Sequence, residues 1–186
     1  DRLHPAPLSH GGGLYHLPYV LQGATNVIPA SAGFDAEECL ALSAFWQNAS
    51  FFAAPTIVRR LVDVVKSKGI QPKGISTIIY GGGPMYLADI QEALHFVGPY
   101  FAQIYGQGEC PMTITVLPKY WINRCAEQKN WQHLASVGFA QSMVELSIQD
   151  ANGNGLPAGQ KGEICVKGRV VMAAYWQDPQ ATEKAI

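Results

Sequence analysis

At 186 residues the chain is long enough for one domain with a real core, or for one and a half small ones. A net charge of −1, with charged residues at 15% and no basic block, argues against nucleic acid as a partner, because neutralising a phosphate backbone needs clustered Lys and Arg. No apolar run approaches the ~20 residues that span a bilayer, and the chain does not open on a basic segment followed by an apolar one.

Residues 14–22 read as an apolar helix that Gly23 can close, and residues 25–28 as a short strand. Asp35, with Glu38 three positions on, has the form of a capping box. It opens a helix whose apolar stripe is Cys39, Leu42, Phe45 and Trp46. Residues 50–53 form a buried-looking strand. After Pro55, the positions Ile57, Val58, Leu61, Val62, Val64 and Val65 fall at helical spacing and end in Lys66-Ser-Lys-Gly69. Residues 75–80 are a further β-rich run. Leu87, Ile90, Leu94 and Val97 then mark a helix stopped by Gly98-Pro99, and residues 101–105 are the last strand of the series.

Strands separated by helices of 10 to 15 residues imply βαβ units and a mostly parallel sheet. Right-handed crossovers put the strand C-termini on one edge, which is where open sheets bind ligands. The first 118 residues are therefore α/β. Residues 119–186 read as a linker and a small β-subdomain, with residues 119–135 polar and irregular. Residues 143–149 and 162–168 alternate apolar and polar around the turn-rich Asp150-Ala-Asn-Gly-Asn-Gly155, which is the pattern of an antiparallel pair. Asp178-Pro179 starts one more helix, as N-cap and first helical residue. Both ends look cut, and the chain is expected to be a piece of a longer protein.

Two glycine loops end strands of the series. In Tyr100-Phe-Ala-Gln-Ile-Tyr-Gly-Gln-Gly-Glu109, Gly106 and Gly108 bare the backbone and Glu109 adds a hard oxygen ligand, as a phosphate ester with Mg²⁺ requires. The alternative for Glu109 is a solvated loop acid. Gly81-Gly82-Gly83-Pro84 either packs backbone against a flat base or acyl group, or is a tight strand-to-helix turn. His10 either faces a bound carboxylate or is a hydrogen-bonded structural residue. Tyr105 either stacks on a base or belongs to the core. Gly106-Gln-Gly-Glu-Cys-Pro111 is no dinucleotide fingerprint, since it lacks the third glycine and has Pro111 where a helix should start. Cys39, Cys110, Cys125 and Cys165 have no CxxC spacing and read as reduced thiols in a cytoplasmic setting, and the five histidines lack metal spacing.

Taken in order, these segments resemble the adenylate-forming superfamily: acyl-CoA synthetases, luciferases and carrier-protein adenylation domains. Pro7-Leu-Ser-His10 looks like its substrate-gating segment and Ala54-Pro-Thr56 like its Pro-Thr element. Gly81-Gly-Gly-Pro-Met85 looks like its adenine-side loop, and Tyr105-Gly-Gln-Gly-Glu109 is similar to its Tyr-Gly-x-Thr-Glu element. Ser136-Val-Gly138, Gly162-Glu-Ile-Cys-Val-Lys-Gly168 and Tyr175-Trp-Gln-Asp-Pro-Gln-Ala-Thr182 look like its β-subdomain and the approach to its ribose-binding Asp.

The resemblance implies part of an acetyl-CoA-synthetase-like fold and an ATP-dependent acid–thiol ligase. Such an enzyme makes acyl-AMP and pyrophosphate from a fatty or aryl acid and ATP, then passes the acyl group to CoA. By position, Glu109 would ligate Mg²⁺ and Tyr105 would pack on adenine. Gln103, Ile104, Gly82, Gly83, Pro84, Gly106 and Gly108 would line the nucleotide, and His10 would border the acyl carboxylate. Gly108 stands where the family has a Thr that meets phosphate. The family's phosphate loop, Thr-Gly-Asp element and catalytic Lys are not among these residues, so the chain alone is expected not to turn over. A ligase that delivers to a carrier protein, and a non-catalytic nucleotide-binding homologue, are the alternative readings.

Overall fold

Short helices return the chain between five parallel strands, and this sets the edge on which the glycine loops collect. A computed structural model describes residues 1–186. Strand β1 (Arg2–Leu3) leads through α1 (Gly11–Leu14) and α2 (His16–Leu21) to β2 (Asn26–Val27). Helix α3 (Ala36–Trp46) precedes β3 (Ala49–Ala53), α4 (Pro55–Lys68) precedes β4 (Ile75–Tyr80), and α5 (Leu87–Phe96) precedes β5 (Phe101–Gln107). The sheet continues with β6 (Cys110–Leu117) and, after α6 (Lys119–Glu127) and a 3₁₀ turn (Trp131–Ala135), with β7 (Phe139–Ala140). Its order is β2-β1-β3-β4-β5-β6-β7. The pairs from β2 to β5 are parallel, while β5–β6 and β6–β7 are antiparallel. A separate antiparallel pair, β8 (Val144–Gln149) and β9 (Glu163–Gly168), is followed by α7 (Pro179–Ala185). The architecture is a helix-flanked, largely parallel sheet plus a small antiparallel sheet, as the alternating patterns indicate.

The elements form for local reasons. β3 is buried at every residue, so its ladder needs no polar face. Helix α4 starts with Pro55, ends with Gly69 in the left-handed region, and buries Val58, Leu61, Val62 and Val65. Each such side chain contributes about 1.5–3 kcal/mol by leaving water. On α5, Ile90 and Ala93 are buried against the same core, where Tyr80 meets Phe101 edge-on at 6.2 Å.

Four local expectations change. The strand ending the parallel series runs to Gln107 rather than 105, and residues 110–117 turn back as β6. Pro111 hid that strand. It sits beside an irregularity, where register passes from Tyr105↔Thr115 to Gln107↔Cys110, so its missing N–H breaks no regular ladder. Residues 119–127 are helical, not irregular, because Ile122 and Cys125 on one face are buried under the sheet. Asp35 does cap α3, accepting from the Glu38 N–H at 2.8 Å, but the Glu38 carboxylate reaches the N–H groups of Ala30 and Ser31 instead of closing the box. Phe45 leaves the apolar stripe of α3 and is 78% exposed, while Ser43 takes a buried position.

At the β1 end, Arg2 is fully buried. Its guanidinium lies 5.0 Å from the Tyr15 ring and 5.3 Å from that of Tyr19. Nearby, His4 donates through Nε2 to Asn26 Oδ1 at 2.7 Å, and its Nδ1 is buried without a partner. Burial holds the His4 imidazole below its ordinary value. The Asn26 contact opposes this, and the charges of Arg2 and His16 add to it. The unfolded chain therefore binds the proton more readily than the folded one, so stability falls as pH drops through the ordinary value of 6.5 and below it. The thermal midpoint is expected to decline between about pH 7 and pH 5, and His4→Gln to flatten that decline. An equal slope in both proteins would exclude His4 as its source.

Candidate active site

The C-terminal edge of the parallel strands gathers three segments. The β4–α5 loop, residues 81–86, begins at Gly81, where an added Cβ would lie 2.5 Å from both Ile104 Cδ1 and Ile104 O on the neighbouring strand. Bare backbone is what lets this loop pass so close to β5. Gly82, Gly83 and Pro84 are exposed beyond it. A Cβ on Gly82 would come 3.9 Å from Phe52 Cζ, and one on Gly83 would come 3.7 Å from Pro55. The second segment is the start of α1, and the third is the β5–β6 turn. The His10 side chain is exposed and does not cap that helix, and Gly11 faces Phe52 Cζ at 3.4 Å and Met112 Cε at 3.6 Å from its Cβ position. Gly11, Phe52, Gly82 and Met112 thus form one apolar corner beside His10.

Gly106 joins that corner to the β5–β6 turn. A Cβ there would collide with the Met112 N and lie 2.8 Å from Cys110 O. Met112 is itself in the left-handed region at φ 61°, and its carbonyl accepts from Gln141 Nε2 at 2.8 Å. The irregularity in β6 therefore needs glycine opposite it on β5. Gly108, at the tip of the turn, has open space around its Cβ position.

Alternation along β5 separates the residues expected to line a nucleotide. Gln103 is buried and accepts from the Tyr80 hydroxyl at 3.4 Å, whereas Ile104 packs on Gly81 from the opposite face. Tyr105 accepts from Gln107 Nε2 at 2.9 Å and lines a cleft of about 780 Å³ together with Glu109. The opposite wall is β9 and α7, which contribute Glu163 and Lys184.

Glu109 is fixed at two points. Its carbonyl accepts from the Met172 N–H at 2.7 Å, and its carboxylate Oε1 accepts from the Tyr175 hydroxyl. That bond holds the carboxyl below the usual carboxylate range and pushes the Tyr175 phenol up. Glu109 is ionised at neutral pH, half-buried, and open to the cleft. Sequence reasoning missed Tyr175 as a site residue. It lies 66 positions from Glu109 in the chain, and no local spacing could link the two. All four cysteines are unpaired, and Cys110 Sγ meets Thr113 Oγ1 at 3.2 Å rather than a histidine.

A family model described as AMP-binding enzyme matches residues 1–176. The chain belongs to the AMP-binding enzyme family. Among curated members, it is 30% identical over 178 residues to the medium/long-chain-fatty-acid–CoA ligase FadD8 of Mycobacterium tuberculosis, covering 96% of this chain and 30% of that protein. It is 27% identical over 183 residues to the fatty acid–[acyl-carrier-protein] ligase ScoC of Streptomyces coeruleorubidus, covering 97% of this chain and 34% of that protein. Among solved structures, the amide bond synthetase McbA of Marinactinospora thermotolerans superimposes with a TM-score of 0.87 at 26% identity, over 100% of this chain and 36% of that one. The chain thus spans about a third of the length of these AMP-binding relatives. No helix is long and apolar enough to cross a membrane.

Proposed function

We propose that the protein carrying this chain activates a carboxylic acid with ATP and hands the acyl group to the thiol of CoA. In the first step a carboxylate oxygen attacks the α-phosphorus, the bond to the β-phosphate breaks, and acyl-AMP and pyrophosphate result. In the second step a thiolate attacks the acyl carbonyl and AMP leaves. The single observation that carries this reading is Glu109. It is an ionised acid on a turn at the C-terminal edge, with one oxygen held and the other free, beside Tyr105 in one cleft of an AMP-binding chain.

Chemistry of this kind asks the protein mainly for position and charge, because the phosphates bring their own leaving group. Glu109 suits Mg²⁺, which takes one or two carboxylates and completes its shell with waters and substrate phosphates. No three His, Cys, Asp or Glu side chains gather into a ready metal cage, so any such cation would depend on the nucleotide for its remaining ligands. When bound there, Mg²⁺ would neutralise charge on the phosphates. Tyr105 offers a ring for adenine, with the exposed backbone of Gly82 and Gly83 across the β4–β5 edge. The corner of Gly11, Phe52, Gly82 and Met112 suits an apolar acyl or aryl chain, with His10 at its rim toward the carboxylate. Four unpaired cysteines fit a cytoplasmic setting.

A carrier-protein thiol is the second reading of the acceptor. ScoC, at 27% identity, is named for that acceptor, and McbA is named for an amide. The acceptor is therefore not set by the fold of these residues. The test is ATP–pyrophosphate exchange by the complete protein across carboxylates of graded length, followed by mass analysis with CoA or a phosphopantetheinylated carrier. Acid-dependent exchange and an acyl-CoA product are expected. Exchange with no acid would leave a non-catalytic nucleotide-binding homologue as the better account.

A further inference from the structure

Glu109 offers its two carboxylate oxygens unequally. Oε1 accepts from the Tyr175 hydroxyl, and no group of the chain approaches Oε2 as a donor. The tyrosine is held in turn. Its backbone N–H donates to Thr182 Oγ1 at 3.0 Å, and the Thr182 hydroxyl donates to the Asp178 carbonyl at 2.8 Å. Asp178 caps α7 by accepting from the Ala181 N–H at 2.9 Å. Met172, three residues before Tyr175, clamps the Glu109 main chain. Residues 172–182 therefore act as a strap with two grips on one acid, one on its backbone and one on its carboxylate.

We infer that Tyr175 is a positioning residue that keeps Glu109 a one-oxygen ligand and so biases the site toward Mg²⁺ over Ca²⁺. The inference rests on the adenylating reading, since it needs Glu109 to meet a nucleotide-bound cation. The chemistry is direct. Mg²⁺ demands near-octahedral geometry and takes one oxygen from a carboxylate, while Ca²⁺ accepts six to eight ligands and gains from a bidentate one. A hydroxyl on Oε1 occupies one of that oxygen's two lone pairs and draws it toward Tyr175, which disfavours the bidentate mode without removing charge. The bond also fixes which way the free oxygen points, at no entropic cost when the nucleotide arrives. A charge-assisted hydrogen bond is strong enough to hold that choice.

The test uses the complete protein and reads binding rather than turnover. Calorimetry gives the ATP dissociation constant with Mg²⁺ or with Ca²⁺ as the only divalent cation, for wild type, Tyr175→Phe, Thr182→Val and Glu109→Gln. Wild type should prefer MgATP. In Tyr175→Phe the ratio of the two constants should fall roughly tenfold, the size of a lost hydrogen bond to a charge. Thr182→Val should move it the same way by less, and it supplies the answer if Tyr175→Phe does not fold. An unchanged ratio in both variants, with wild type still preferring MgATP and Glu109→Gln weakening it, would overturn the role of Tyr175 alone. Equal MgATP binding by wild type and Glu109→Gln would overturn the metal role of Glu109, and the Tyr175 inference with it.

Discussion

Glu109→Ala in the complete protein is expected to lower Mg²⁺-dependent ATP–pyrophosphate exchange by about 100-fold or more at ordinary Mg²⁺, the scale on which a removed electrostatic stabiliser is felt. The structure makes this a clean substitution. Alanine keeps the Glu109 carbonyl, which accepts from Met172 at 2.7 Å, and of its two ties to the strap gives up only the carboxylate bond from Tyr175. What it gives to the cleft is its carboxylate, which alanine deletes. The thermal midpoint should fall by a few degrees at most, the share of the lost Tyr175 bond, while exchange collapses. Glu109→Asp retracts the charge by one methylene and loses the reach to Tyr175, so intermediate activity is expected, with part of the loss recovered by raising Mg²⁺. Exchange that persists unchanged in the alanine variant, at matched folding, would falsify the metal role.

The candidate site was partly legible because its chemistry is local. Tyr105, Gly106, Gly108 and Glu109 fall within one five-residue stretch, and the strand that leads into it announces itself by composition. The Gly81–Pro84 loop was legible as the end of a strand on the same edge, whereas the place of His10 beside Phe52 was not, because the two-residue strand Arg2–Leu3 that leads to it is too short to show in a pattern. What stayed hidden depends on residues distant in sequence. Tyr175 meets Glu109 across 66 positions through a strap with no regular periodicity. Arg2 could be read as an ordinary surface charge, yet two tyrosine rings 13 and 17 residues on enclose it, and it is fully buried. Two elements were masked by local composition. Pro111 disguised β6, and the polar surface of α6 disguised a helix that needs only Ile122 and Cys125 to anchor it. In both cases tertiary burial outweighed local preference.

The two glycines of the β5–β6 turn should respond in opposite ways to a side chain, although they are separated by one residue. Gly106→Ala puts a Cβ into the Met112 backbone and within 2.8 Å of the Cys110 carbonyl. Neither atom can step aside. Met112 already holds a left-handed conformation at φ 61°, and its carbonyl is tied to Gln141 at 2.8 Å. Relief would have to shift β6 against β5, at a cost of about 1–3 kcal/mol or more, and Gly106→Val should exceed it. A fall of several degrees in thermal midpoint is expected for alanine, with loss of exchange as the turn that carries Glu109 is displaced. At Gly108 a Cβ meets nothing, and the backbone does not require glycine's left-handed freedom. Gly108→Thr should therefore fold with an unaltered midpoint. Under the adenylating reading its hydroxyl would add a phosphate donor and lower the KM for ATP several-fold, as one more neutral hydrogen bond allows. If threonine instead destabilises the protein as much as alanine does at 106, the turn is not open in the way its geometry indicates. If it folds normally and leaves the KM unmoved, the tip of the turn does not face phosphate, and the nucleotide must be placed deeper, toward Tyr105.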